Sequence, residues 1–205
     1  MKSGSLVFWF AVSAVVGCKP VVESSVPPGL DPIEENTAAL PDDESVNLQS
    51  TDTDDYHSTH ARGRVDVDIT KVAACVATPE VGVDRRRVAD FEVTEDVDPA
   101  YTVSYDVFTT VIDTVTLEYT VSWLQGDRGD GTYGAHWAKT EGSDLLEFLE
   151  GSVLLQPIDD GATDVGIIEH LGAVLTSTED TEQFTGDFYE SIRACAHGEA
   201  LPAYP

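Results

Sequence analysis

Apolar and polar residues alternate most regularly over "VTLEYTVSWL". There Val115, Leu117, Tyr119, Val121 and Trp123 share one face, and Thr116, Glu118, Thr120 and Ser122 share the other. A period of two sustained over that length predicts a strand with one face buried and one solvated. "YTVSYDVFTTVI" repeats the pattern, with Tyr101, Val103, Tyr105, Val107 and Val111 on one side. "RVDVDI" sets Val65, Val67 and Ile69 on one face. "VADFEV", "YGAHWAK", "LLEFLEGSVLLQPI" and "TDVGIIEHLGAVL" read as further strands, the last two joined by the turn "DDGA". Two segments change period. "KVAACVATPE", after Thr70, is a short helix stopped near Pro79. Near the end, Ser177 to Asp180 can cap a helix, Phe184, Phe188, Ile192 and Cys195 form one apolar helical stripe, and Gly198 is the stop. The predicted order is strand, short helix, six strands, long helix. It makes an α+β domain over residues 63–198, large enough for a single core.

The stretch from Lys19 to Arg62 carries neither period. It contains "VPPGLDPIEEN", "LPDDESVNLQS" and "TDTDDYHSTH", rich in proline, acids and hydroxyl residues. Such a composition buries too little apolar surface to offset chain entropy, so residues 18–62 are expected to be a disordered acidic linker. Asp54, Asp55, His57 and His60 are metal-type side chains, but a linker gives ligands no fixed geometry, and no metal site is assigned. Residues 1–17 combine Lys2 with an apolar run, Leu6 to Val16, broken only by Ser13. That run is too short to span a bilayer and has the layout of a signal peptide. It ends in "VVGC", which resembles the lipobox of bacterial lipoproteins. The resemblance implies cleavage before Cys18, acylation of Cys18, and a stable membrane anchor, since two or more chains are held firmly. Lys19, where an aspartate would favour inner-membrane retention, points the expected location to the outer membrane of a bacterial envelope. Residues 199–205 remain as a C-terminal tail.

The formal net charge of −27 over 205 residues argues against nucleic acid and anionic lipid surfaces as partners. Arg85, Arg86 and Arg87 are the one basic cluster. They read as a loop balancing nearby acids, with a ligand carboxylate or lipid headgroup as the alternative. With Cys18 lipidated, Cys75 and Cys195 allow one pairing in an oxidising compartment; two separately buried thiols are the alternative. The chain has no G-x-S-x-G elbow, H-E-x-x-H, Walker loop or dinucleotide glycine pattern, so no catalytic residue and no cofactor is assigned. Asp127 and Asp130 in "GDRGDG" do not have EF-hand spacing.

The element order resembles the START-like, or SRPBCC, helix-grip superfamily, which includes polyketide cyclase-like proteins. "VAACVATPE" is similar to its small helical segment, "LEGSVLLQPIDDGATDVGIIEHLGAV" to its last hairpin, and "DTEQFTGDFYESIRACAHG" to its final helix. "VGVDRRR", residues 81–87, departs from the pattern because it is too polar for a second helix. The resemblance implies a curved antiparallel sheet of about seven strands around the C-terminal helix, with an apolar cavity between them. On that reading Tyr119, Val121, Trp123, Trp137, Phe148, Val165, Ile167, Glu169, Leu171, Phe184 and Phe188 are the candidate lining residues. Phe184, Phe188 and Ile192 are mainly core. Glu169 stands among apolar neighbours, an expensive place for a carboxylate unless it is paired or protonated. A bulge turning it outward, or an ion pair with Arg193, would remove that cost. His170 is expected on the solvent face.

Three readings follow. One is a lipid-anchored module binding a hydrophobic small molecule or lipid. Another is a non-enzymatic structural or protein-interaction lipoprotein with a filled core. The third is a cyclase- or hydratase-type enzyme using Glu169 with His136 or a tyrosine.

Overall fold

The computed structural model describes residues 29–95, 98, 100–112, 115–158, 161–173 and 176–204. The signal peptide, Cys18 and Lys19 lie outside the described residues. Strand β1 (Val46–Asp52) and β2 (His57–Val65) lead into helix α1 (Ile69–Val76) and a single 3-10 turn, Pro79–Val81. Strands β3 (Val88–Glu95), β4 (Val103–Ile112), β5 (Thr116–Asp127), β6 (Tyr133–Gly142), β7 (Leu146–Ile158) and β8 (Ala162–Ala173) follow, and helix α2 (Thr178–His197) closes the chain. The strands form one antiparallel sheet in the order β1-β2-β8-β7-β6-β5-β4-β3. The six strands expected after the short helix are present. The sheet has eight strands rather than about seven because β1 is an added edge strand. The first strand, expected over "RVDVDI", is corrected: β2 ends at Val65, residues 66–68 form a bend, and Ile69 opens α1 because Asp68 caps that helix.

Local chemistry explains both helices. The Asp68 carboxylate accepts from the Thr70 amide at 2.9 Å and starts α1. Ser177 and Asp180 form a reciprocal capping box on α2, and Gly198, with φ of 72°, ends it in the left-handed conformation. Helix α2 lies on the concave face of the sheet. The Tyr189 ring rests directly on Gly63 of β2, where a Cβ would lie 2.2 Å from it, and the Tyr189 hydroxyl donates to the Arg64 carbonyl at 2.7 Å. Cys75 and Cys195 are joined in a disulfide, tying α1 to the end of α2 across 120 residues of sequence. Closing a loop of that length contributes about 2–5 kcal/mol.

The expectation of a disordered linker over residues 18–62 is corrected for residues 29–62; residues 18–28 lie outside the described residues. Residues 46–52 and 57–65 are strands β1 and β2, and the segment before them, residues 30–39, is a strap across the convex face. Sequence composition misleads here because the segment has almost no apolar surface of its own. It is held by polar contacts that exist only once the sheet is built. The Asn36 side-chain amide donates to the Ala61 and Ile167 carbonyls at 2.8 and 3.2 Å. The Ile33 amide donates to Ser152 Oγ at 3.2 Å, and Arg128 pairs with Asp31. The Thr37 amide donates to His60 Nδ1 at 2.9 Å, which leaves Nε2 as the donor to Glu34 Oε1 at 2.6 Å. His170 Nε2 meets the same Glu34 oxygen at 2.9 Å.

The strap changes the outlook for residues on the outer face. His170 does face away from the helix, as its parity requires, but it is buried rather than solvated. It stacks on Tyr56 at 4.5 Å and contacts Glu150 as well as Glu34. Burial opposes protonation of His170, yet the Glu150 and Glu34 carboxylates outweigh it and raise the imidazole above its ordinary range. Burial likewise works against ionisation of Glu34, but the His170 and His60 rings hold its carboxyl below its ordinary range. Replacing this half-exposed carboxylate, Glu34→Gln, should raise amide hydrogen exchange across residues 30–39 roughly fivefold (about 1 kcal/mol), with β7 and β8 unaffected. Unchanged exchange in the strap would assign its attachment to Asn36 and Arg128 instead.

Candidate functional site

Between the concave face and α2 the interior divides into a filled half and an unfilled half. In the filled half Trp123 and Trp137 stack with ring centroids 4.8 Å apart, and Phe188 packs edge-on against both. The Trp137 indole lies across Gly151 of β7, where a Cβ would come within 2.0 Å of it. Nearer the β4–β5 hairpin the facing side chains are short: Val107, Thr109 and Val121 do not reach α2. A cavity of about 150 Å³ remains, bounded by those residues, by Tyr119, Leu146, Leu149 and Leu171 on the sheet, by Phe184 on α2, and by residues 82–84 and Arg87.

That last boundary is the polar stretch that the sequence left without a structure. After the 3-10 turn, residues 82–87 run over the cavity as a lid, and the arginine cluster fastens it. Arg86 pairs with Asp187 and Arg87 with Asp180, both on α2, and the Arg86 guanidinium sits 4.1 Å over the Tyr204 ring. Arg85 donates to the Glu80 carbonyl at 2.6 Å and to the Pro202 carbonyl at 3.3 Å. The cluster therefore balances nearby acids, as expected, and does so between elements rather than within a solvated loop.

Of the eleven candidate lining residues, Tyr119, Val121, Trp123, Trp137, Glu169, Leu171 and Phe184 line the cavity. Val165, Ile167 and Phe188 face inward but are packed into the core. Phe148 is corrected. Phe148 shares its strand face with Glu150 and Ser152 on the convex side, 5.2 Å from Tyr56 and 6.5 Å from His170, and an irregular β7–β8 register between Leu146 and Phe148 brings Leu146 onto the cavity side instead. A one-residue change of register moves a side chain to the other face. Pairing of Glu169 with His136 is also corrected: His136 alternates with the inward Trp137 and so lies on the convex face, where its Nε2 donates to the Asp31 carbonyl of the strap. Burial lowers the His136 imidazole below its ordinary range.

Glu169 keeps the inward position that its strand parity gives it. It is 2% exposed, and its Oε2 has no hydrogen-bond partner among the described residues. Arg193 bonds to Glu190 at 2.9 Å and does not neutralise it. Burial pushes the Glu169 carboxyl well above the carboxylate range, and the neighbouring charge of Asp84 adds to the push. Burial also raises Asp84, against the Arg86 amide that donates to it at 3.0 Å and the Arg87 charge. Burial, Asp84 and Glu169 together raise the Tyr119 phenol. The cavity is thus apolar walls around one polar pole: two carboxyls held toward the neutral form and a phenol. Asp84 escaped the sequence reading because no period marks a lid, and its role depends on Glu169 and α2 lying opposite.

No protein-family model matches this sequence, and no curated protein matches it. Solved structures do. The lipid transfer and protein localization domain of human StarD13 is 13% identical, with 85% of this chain and 90% of that chain covered at a TM-score of 0.54. Human StAR-related lipid transfer protein 5 is 13% identical, with 83% and 88% covered at 0.55. The STAR-related lipid transfer protein of Xanthomonas axonopodis is 13% identical, with 82% and 99% covered at 0.54. At such identity the likeness shows the fold alone: the chain has the helix-grip fold of these domains, a curved antiparallel sheet around a long C-terminal helix.

The raised Glu169 carboxyl has a signed consequence. Unfolded, it ionises near 4.5, while the native group holds its proton to higher pH. Its protonated burial is therefore tolerated fully below about pH 4.5, and stability falls as pH rises toward the native value. Glu169→Gln should gain on the parent protein by up to about 1.4 kcal/mol per pH unit between pH 4.5 and 7, read from urea unfolding. A difference independent of pH would mean that Glu169 ionises normally.

Proposed function

We propose that this START-like domain holds a hydrophobic small molecule in the cavity between its sheet and α2, while a lipid on Cys18 anchors it to the bacterial outer membrane. The observation that carries the binding reading is the cavity itself: an apolar hollow, roofed by a lid and lined by Trp123, Trp137 and Val121, with a few convergent polar groups. Three structural neighbours are named as lipid-transfer proteins, which supports the same reading by analogy of fold. At about 150 Å³ the partly open cavity suits a ligand of about one ring. A larger lipid requires the lid to lift, and the Arg86–Asp187 and Arg87–Asp180 pairs are the contacts that would part. An acid–base role would fall to Glu169 with Asp84 or Tyr119, since His136 is on the other face.

Toluene added to the full chain carrying Cys18→Ser should perturb the emission of the indoles at Trp123 and Trp137 saturably, and Val121→Phe, which fills the cavity, should abolish the response while retaining the fold. Absence of any response in the parent protein would favour the filled-core structural module. The anchor is tested separately: the parent chain should fractionate with outer membranes and Cys18→Ser with the soluble periplasm. Equal soluble fractions would refute the anchor without touching the cavity.

A further inference from the structure

The charge around the cavity does not balance. Three carboxyls, Asp84, Glu169 and Asp180, share it with one guanidinium, Arg87. Arg87 is already paired with Asp180. Among the described residues Asp84 and Glu169 are left with no ion pair of their own, and Glu169, 2% exposed, has an oxygen with no hydrogen-bond partner. The remaining polar groups at this pole are Tyr119, Thr109 and Thr176, none of which carries positive charge. The rest of the wall is aliphatic or aromatic, with the two stacked indoles at its deep end.

Resting on the binding reading above, we propose that the ligand is a small apolar amine bound as its ammonium ion, with Glu169 and Asp84 as its counter-ions. An ammonium supplies the positive charge that the site lacks. It lets Glu169 ionise in place, so a proton leaves the protein as the amine enters. A carboxylate ligand would be a further negative charge among acids and is rejected. A neutral alcohol of the same shape can use the apolar wall but leaves the charge imbalance as it was. Burying an unpaired charge is costly and burying a paired one much less so, which is the basis of the selectivity. The cavity volume limits the apolar part to about one ring.

The probes are benzylamine, benzyl alcohol and benzoate, titrated calorimetrically into the full chain carrying Cys18→Ser. At pH 7.5 benzylamine should bind at least tenfold more tightly than benzyl alcohol, and benzoate should not bind. Heats measured in buffers of different ionisation enthalpy should show release of up to one proton per benzylamine, so its affinity rises with pH. Glu169→Gln should remove both the preference and the proton release while benzyl alcohol still binds. Asp84→Asn, on the lid, should weaken the preference and provides the test if the β8 variant does not fold. Benzyl alcohol binding as tightly as benzylamine, or benzylamine binding with no proton released, overturns the amine inference and leaves the cavity reading standing. Failure of all three probes overturns both.

Discussion

The contact between Tyr189 and Gly63 sets the height at which α2 sits over the sheet. Because β2 has no side chain there, the phenol ring lies on backbone and its hydroxyl reaches the Arg64 carbonyl. That close approach puts the apolar stripe of α2 onto the concave face, brings Cys195 to Cys75, and sets Asp180 and Asp187 opposite the lid arginines. Trp123 and Trp137 then fill the space under Phe188, and the short side chains of β4 leave the hollow next to it. The cavity is a remainder, determined by how near the helix can come and by which residues are too small to meet it.

Over β2, β8, β7 and β6 both faces of the sheet are covered, by different means. The concave face is closed by apolar packing under α2. The convex face is closed by a strap whose contacts are mostly polar and charged. Neighbouring residues on β8 show the outcome: Glu169 and His170 point to opposite sides, and both are buried. His170 finds two carboxylates, so its charge is welcome. Glu169 finds another acid, so its charge is not. One strand thus carries a satisfied cation site and an unsatisfied carboxyl back to back.

Much of the domain was legible from residue order. Six strands, the final helix, its capping box and its glycine stop follow from periodicity and local hydrogen bonding, which act over a few residues. Glu169 was legible for the same reason, since strand parity assigns a face. Phe148 follows parity too, onto the convex face with Glu150 and Ser152; what parity does not give is Leu146, which the irregular β7–β8 register turns to the cavity. Strands β1 and β2 were not legible either. "HSTHARGRV" has no apolar alternation, and its burial comes from the strap on one side and Tyr189 on the other.

The sequence by itself determined the helix-grip order of elements, the face on which each regular strand residue lies, and the single cysteine pair left once Cys18 is set aside. Tertiary structure alone decided that the acidic stretch is part of the fold, that three arginines pin a lid, and that Asp84 stands near Glu169. The physical reason is range. Hydrophobic period and capping are short-range properties written in consecutive residues. Polar attachment, lid closure and the balance of charge in a cavity depend on groups about a hundred residues apart, such as Arg86 and Asp187, and become defined only after the sheet and helix have met.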